Sequence, residues 1–175
     1  MRKITIAAAV LAFGIFTAVA IAASLHTFGT GQVTTENTKV YGLGATIVND
    51  VGEYGGIYQG GSHAKVGTVK YSFLSDGQVA GGAPRWSIPL DTDNNTKTVD
   101  SYAFLDVNGC GGSAGHATYV STTNPDCQVF INTGGSYPNW AALVAANPTW
   151  RVDGQGFIIA DVDGSYHVFD ARFGK

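Results

Sequence analysis

Four oxygen-bearing side chains lie close together in the middle of the chain. Asp91, Asp93 and Asn95 occupy alternate positions of one short segment, and Asp100 follows soon after it. Carboxylate and amide oxygens at alternate positions are the ligands with which a tight loop surrounds a hard cation such as Ca²⁺. The sequence therefore predicts a calcium site at Asp91, Asp93, Asn95 and Asp100, and Asp106 is a further candidate ligand.

This segment departs from the EF-hand pattern. Its sixth position is Thr96, where an EF-hand has glycine, and its twelfth is Tyr102, where an EF-hand has a bidentate glutamate. No flanking helices are predicted either, so a calcium ion here would belong to a loop between β-strands. A solvated hairpin turn without any ion is the alternative, because Asp and Asn also form turns on their own.

Tyr54 and Tyr58 flank the segment Gly55-Gly56-Ile57. An aromatic ring is hard to bury in a glycine-rich loop, and exposed loop aromatics often mark a contact surface. We therefore predict Tyr54 and Tyr58 as ligand-contact residues, for example as a platform for sugar rings. Most of the other tyrosines and tryptophans are expected in the core.

The sequence does not assemble a catalytic site. Ser113 lies in a Gly-x-Ser-x-Gly match at residues 111–115, with His116 directly after it. That motif acts at a strained turn from a strand into a helix of an α/β sheet, and the chain shows no βαβ pattern. The four histidines lack the spacing of a zinc site, and the separation of two carboxylates cannot be read from sequence. We predict no catalytic residue.

The amino terminus indicates export. Arg2 and Lys3 precede an uncharged apolar stretch over residues 4–23, which is typical of a signal peptide. Small residues at positions 20 and 22 predict cleavage after residue 22. The alternative is a retained membrane anchor, because about 20 apolar residues can span a bilayer. Both interpretations predict a secreted or extracytoplasmic cell-surface protein, with membrane contact only through an uncleaved segment.

The charge of the remaining chain excludes one class of partner. Without Arg2 and Lys3, 8 basic residues remain against 13 acidic ones, and the basic residues are scattered singly. Nucleic-acid binding requires a concentrated basic surface that neutralises phosphates. We therefore expect no nucleic-acid partner, and an extracellular glycan or protein is the more reasonable ligand.

Cys110 and Cys127 are the only two cysteines. An even number of cysteines in an exported chain indicates a disulfide, whereas a redox-active pair typically has the spacing Cys-x-x-Cys. The segment between them is rich in Gly, Ser and Thr, and cross-linking a loop of this length stabilises a fold by about 3 kcal/mol in the chain-entropy model. We predict a structural disulfide.

Apolar and polar residues alternate along much of the chain, which predicts β-strands. Along one of them, Trp86, Ile88 and Leu90 are expected to face the core, with Ser87 and Pro89 facing outward. Turn signals such as Asp163-Gly164 separate the strands. Eight short strands of this kind predict an antiparallel β-sandwich of jelly-roll or immunoglobulin-like type, with strands at 39–48, 66–73, 85–90, 101–107, 117–121, 128–132, 156–161 and 165–173.

Two segments interrupt this pattern. Residues 138–147 carry Trp140 and Leu143 at helical spacing between two prolines, which predicts one short helix. Residues 23–38 contain few large apolar groups and predict a flexible tether. The predicted organisation is a signal peptide or anchor at 1–22, a tether at 23–38 and a β-sandwich domain at 39–175.

Three stretches of the chain resemble a group of uncharacterised exported proteins of Gram-positive bacteria. They are the segments 88–93 with 102–106, then 139–148, and finally 157–161. The resemblance extends over residues 66–174 and implies an exported β-sandwich domain with two cysteines in the same relative places. It implies no reaction and no catalytic residues.

Three functions are compatible with these features. The first is a non-enzymatic exported module that binds carbohydrate or protein, with a loop calcium ion as support. The second is a structural subunit of a surface layer or filament, suggested by the low charge and the abundant glycine. The third is a secreted hydrolase that uses aspartates such as Asp91 or Asp161. The first is our leading hypothesis.

Overall fold

The computed structural model describes residues 24–40, 42–61, 63–77, 80–95 and 98–174. The predicted signal peptide or membrane anchor at 1–22 lies outside the described residues. None of the helices in the described part of the chain has the length and apolar character needed to cross a membrane.

The described residues form fourteen strands, one α-helix and one turn of 3₁₀-helix at Val66–Thr68. In chain order the strands and the helix are β1 (His26–Gly29), β2 (Gln32–Thr38), β3 (Gly42–Asn49), β4 (Gly55–Tyr58), β5 (Ala64–Lys65), β6 (Tyr71–Ser75), β7 (Arg85–Asp91), β8 (Ser101–Asp106), β9 (Thr118–Ser121), β10 (Val129–Ile131), β11 (Ser136–Tyr137), α1 (Trp140–Ala146), β12 (Arg151–Val152), β13 (Phe157–Ala160) and β14 (Gly164–Phe173).

The strands form two antiparallel sheets. The nine-stranded sheet has the order β1-β4-β13-β7-β8-β10-β11, and β12 joins it beside β7 with β5 on its other side. The five-stranded sheet has the order β2-β3-β14-β6-β9. The predicted antiparallel β-sandwich with one short helix is confirmed.

The core between the sheets is built from the inward side chains of both. Trp86 of β7 is fully buried, and its ring lies 4.9 Å from that of Tyr71 and 5.0 Å from that of Phe173. The prediction that Trp86, Ile88 and Leu90 face the core is confirmed, since all three are fully buried. Such large apolar side chains each contribute roughly 1.5–3 kcal/mol through burial.

Helix α1 closes one end of the core. Asn139 caps its amino terminus, where its side chain accepts a hydrogen bond from the Ala142 N–H. The buried indole of Trp140 donates a hydrogen bond to the carbonyl of Val66 over 3.0 Å. The predicted helix over 138–147 is confirmed, with bounds at Trp140 and Ala146.

Three local predictions are wrong. Residues 26–38 are not a tether, because β1 pairs with β4 and β2 pairs with β3 along its whole length. The segment 66–73 is not one strand, since it begins with the 3₁₀ turn and β6 starts only at Tyr71. Ser87 and Pro89 of β7 do not face solvent: both are buried, because β7 is an inner strand on which Ser87 lies between Phe157 and Phe104 and Pro89 lies beside Tyr102.

Cys110 and Cys127 form the predicted disulfide. Cys110 follows β8 and Cys127 precedes β10, and these two strands pair with each other. The cross-link therefore anchors the long connection between two neighbouring strands of the nine-stranded sheet.

Candidate functional sites

A row of directly paired residues crosses the outer face of the nine-stranded sheet. Strand neighbours of these residues, such as Ile57, Leu105 and Ile158, are fully buried in the core, so the row itself faces away from it. Neighbouring strands are about 4.8 Å apart, so a row over six strands extends about 24 Å. In strand order it consists of His26, Tyr58, Phe157, Ser87, Phe104 and Phe130.

The rings of this row support one another and are reinforced by Phe28 and Tyr102 on the same face. The His26 and Tyr58 rings stack with centroids 5.0 Å apart, and Phe28 meets the edge of Phe157 at 5.4 Å. Tyr102 lies 6.1 Å from Phe157 and nearly parallel to Phe104 at 6.5 Å. We call this set the aromatic face: His26, Phe28, Tyr58, Tyr102, Phe104, Phe130 and Phe157. His26 is exposed and the other six are half-buried.

A groove lies at each end of the aromatic face. One has a volume of about 260 Å³ and is lined by Phe28, Tyr58, Gln155 and Phe157. The other has a volume of about 310 Å³ and is lined by Gly81, Arg85, Phe104, Asp106 and Phe130. The face therefore combines ring surfaces with a small number of polar groups, which is the usual composition of a small-molecule site.

Arg85 links the second groove to an ion pair. Its guanidinium binds the Asp161 carboxylate with two hydrogen bonds, one of 2.6 Å, and lies 5.3 Å over the Phe104 ring. These hydrogen bonds from Arg85 hold the pKa of Asp161 below its ordinary value. Asp161 consequently remains ionised with both oxygens engaged, which does not suit a general acid or a nucleophile of a glycosidase.

The two predicted ligand-contact tyrosines lie at one end of the aromatic face. Tyr58 belongs to the row itself, and Tyr54 is 43% exposed just before β4, with its ring 6.5 Å from that of Phe28. The glycine-rich segment between them is a strand and not the loop we expected. Gly56 leaves room for the Phe28 ring, with which a Cβ at this position would collide.

Most of the aromatic face escaped the sequence reasoning. The predicted strands over 101–107 and 156–161 place Tyr102, Phe104 and Phe157 on the side opposite Leu105 and Ile158. This alternation could have predicted the aromatic face, because aromatic residues at both inward and outward positions of a strand indicate that its outer side is covered or binds a ligand. The aromatic face was not predicted because most aromatic side chains were expected in the core.

The predicted calcium ligands lie in the loop between β7 and β8. Asp91 ends β7, and Asp100 immediately precedes β8. Thr96 and Lys97 of this loop lie outside the described residues. Asp91, Asp93 and Asp100 each place one carboxylate oxygen within 4.8 Å of the others, and we call these three residues the acidic cluster.

Asn95 and Asp106, the other two candidate calcium ligands, do not belong to the acidic cluster. The backbone N–H of Asn95 donates to Oδ1 of Asp93 over 2.8 Å and to Oδ1 of Asp91 over 3.1 Å. Asp106 ends β8, about 17 Å along the strand from Ser101. Asp106 is therefore not a ligand of the acidic cluster, and its Oδ1 instead accepts the Gly109 N–H.

Asp100 is held by the loop itself. Its Oδ2 accepts the backbone N–H of Thr92 over 2.7 Å and the Thr92 hydroxyl over 3.0 Å. The backbone hydrogen bond from Thr92 is the largest of the effects that lower the pKa of Asp100. The loop therefore favours the ionised carboxylate.

Asp91 is the buried member of the cluster. Its side chain has no exposed surface, and among the described residues its Oδ2 has no hydrogen-bond partner. His63 Nε2 lies 3.7 Å from this oxygen, and His63 Nδ1 lies 3.2 Å from Oδ1 of Asp153. One side of the cluster therefore borders a histidine that lies between two carboxylates and is within hydrogen-bond distance of Asp153 alone.

Comparisons of the chain with protein-family models, with the curated proteins and with the solved structures find no match. The resemblance to exported two-cysteine proteins therefore stays a prediction.

Proposed function

We propose that this protein is an exported carbohydrate-binding module that holds a linear glycan along the aromatic face. The supporting observation is the row of paired residues that crosses six strands at one register, with a ring on every strand except β7, on a surface with no covering layer among the described residues. A solvent-facing side of an antiparallel sheet is ordinarily polar. A concentration of half-exposed rings in one row is therefore explained best by a ligand.

The chemistry of a sugar chain matches this surface. The C–H groups of a pyranose ring pack on the negatively polarised face of an aromatic ring, and its hydroxyls need hydrogen-bonding groups at the margin. Phe157 and Phe104 supply ring surfaces, while Gln155, Arg85 and Asp106 supply polar groups in the two grooves.

Charge favours a neutral glycan over a charged ligand. The positive charge of Arg85 is already paired with Asp161 through two hydrogen bonds. An acidic polysaccharide would meet a domain whose remaining chain carries more acidic than basic residues. A neutral chain avoids this repulsion.

The test is a binding survey with the purified protein. Affinity electrophoresis and isothermal titration would use soluble cellulose-type glucan, xylan, mannan, chitin oligomers and solubilised peptidoglycan. Replacement of Phe157 by Ala should weaken binding of the selected glycan at least about tenfold, or 1.4 kcal/mol, because this ring contacts both Phe28 and Tyr102.

Tyr119→Ala is the matched control, because Tyr119 is a 43% exposed ring on the other sheet. This variant should bind like the unmodified protein. The proposal fails if no glycan of the panel binds, or if both variants lose affinity equally. Binding of a protein at the same face, without any glycan, would replace the proposal with a protein-recognition module.

Export forms part of the same proposal. It is supported by the basic and apolar amino terminus and by the disulfide, which persists in oxidising compartments. Mass spectrometry of the protein recovered outside the cell should give a chain that starts at residue 23 and is lighter by two hydrogen atoms than the chain with two free thiols. A protein recovered only from the cytoplasm, with both thiols reduced, would contradict export.

A further inference from the structure

We propose that the acidic cluster of Asp91, Asp93 and Asp100 binds one Ca²⁺ ion that fixes the loop between β7 and β8. The sequence predicts oxygen ligands in this loop, and the structure adds two independent observations. One is the convergence of three carboxylates, and the other is a buried carboxylate oxygen without a hydrogen-bond partner among the described residues.

The separation of the carboxylates suits a single ion. Oxygens bound to one Ca²⁺ at about 2.3–2.6 Å lie at most about 5 Å from each other. One oxygen from each of Asp91, Asp93 and Asp100 lies within 4.8 Å of the other two. Three negative charges at this separation repel one another, and a divalent cation between them reverses the sign of that interaction.

The buried oxygen points to a ligand independently of the cluster. A polar group without exposed surface almost always has a hydrogen-bond partner, because its desolvation is otherwise uncompensated. Asp91 has no exposed surface, and its Oδ1 accepts the Asn95 N–H whereas its Oδ2 accepts nothing from the described residues. The His63 nitrogen at 3.7 Å is within ion-pair distance of this oxygen but beyond hydrogen-bond length, so it donates no hydrogen bond to it. A cation bound by Asp91 would supply the missing compensation.

The donor set favours calcium. Carboxylate oxygens suit hard cations, whereas zinc and copper prefer imidazole and sulfur. Ca²⁺ accepts the irregular geometry of a loop and bidentate carboxylates, while Mg²⁺ requires a near-ideal octahedron and keeps several waters. A cluster that a loop assembles from one buried, one half-buried and one exposed aspartate matches the more tolerant ion.

The ion would have a structural consequence for the nine-stranded sheet. Asp91 ends β7 and Asp100 precedes β8, so the ion would join the two strand ends across their connecting loop. Tyr102 of the aromatic face follows two residues after Asp100. The inference does not depend on glycan binding, since a calcium-stabilised loop is measurable in the protein alone.

The test uses the full chain after removal of metals with a chelator. Addition of Ca²⁺ should give a saturable binding heat and should raise Tm by roughly 5–10 °C at one hundred times Kd. Mg²⁺ at equal ionic strength should give a clearly smaller shift. Asp93→Asn should weaken calcium binding at least about tenfold, and because Asp93 is exposed, this variant should fold normally in the absence of metal.

Asp126→Asn is the control, because Asp126 is an exposed acid outside the cluster. It should bind Ca²⁺ like the unmodified protein, and circular dichroism without metal should show that both variants are folded. Equal effects of Ca²⁺ and Mg²⁺, or undiminished calcium binding by Asp93→Asn, would overturn the proposal. Tighter binding of Zn²⁺ that is lost in His63→Ala would overturn the assignment of calcium.

Discussion

The two outer faces of the sandwich cover the same core but differ in chemistry. On the five-stranded sheet, Thr34, Thr46 and His167 are paired in register across three strands. The Thr46 hydroxyl donates to Glu36, whose other oxygen lies 3.3 Å from His167 Nε2. These are the polar side chains expected on a solvated sheet.

The apolar part of that face is short. Phe169, Leu74 and Tyr119 form a row over only three strands, whereas the rings of the aromatic face lie on five strands. Neither outer face has to be apolar for the protein to fold, because the hydrophobic core lies between the two sheets. Folding alone therefore does not explain why the nine-stranded sheet carries the longer row of outward-facing rings. The proposed glycan ligand explains these additional rings.

The largest expected effect comes from the core that both faces share. Trp86→Ala removes a fully buried ring that contacts Tyr71 and Phe173, and it should lower the free energy of unfolding by about 3–5 kcal/mol. Urea denaturation followed by circular dichroism would measure the loss. A loss below about 1 kcal/mol would show that the two sheets do not depend on one core.

A smaller effect on stability should separate the two faces. Phe104→Ala removes a half-buried ring, so we expect a loss of only about 1–2 kcal/mol of folding free energy, together with an at least tenfold loss of glycan affinity. Leu74→Ala on the other face should cause a similar loss of stability with unchanged affinity. Parallel urea and titration experiments would test this, and equal affinities of the two variants would remove the distinction between the faces.

The smallest effect concerns the ion pair at the margin of the aromatic face. Arg85 lowers the pKa of Asp161 in the folded protein, so this pair stabilises the fold above the ordinary carboxyl pKa and loses that contribution as pH falls through the lowered value. Arg85→Met should therefore cost about 0.5–1 kcal/mol at pH 7 and less at pH 2. Urea denaturation at both pH values would measure the difference, and a cost that grows at low pH would contradict the sign.

Alternation within single strands made the sandwich predictable from sequence. It placed Trp86, Ile88 and Leu90 in the core, because inward and outward positions are a local property of a strand. The same reasoning failed for Ser87, since its burial depends on Phe157 and Phe104, which lie on neighbouring strands. It also missed β1 and β2, whose backbones pair although few of their side chains are large and apolar.

The two sites differ in the same way. The acidic cluster arises within one loop, so spacing alone brought Asp91, Asp93 and Asp100 together, although the burial of Asp91 and the position of His63 could not be foreseen. The aromatic face joins β1, β4, β13, β8 and β10, and β4 is separated from its partner β13 by about a hundred residues. Such a register follows from the strand order, which alternation along the chain does not reveal.

The cross-link between Cys110 and Cys127 encloses β9, which belongs to the opposite sheet from β8 and β10. The covalent loop closed by the disulfide therefore runs from the nine-stranded sheet to the five-stranded sheet and back. It links the two sheets covalently at the edge where β9 and β10 lie. At the β1–β2 margin, the chain joins the layers at residues 30 and 31 and again at residues 50–54, without a disulfide. We therefore expect local opening to begin at β1 and β2, and the cysteine margin to separate last.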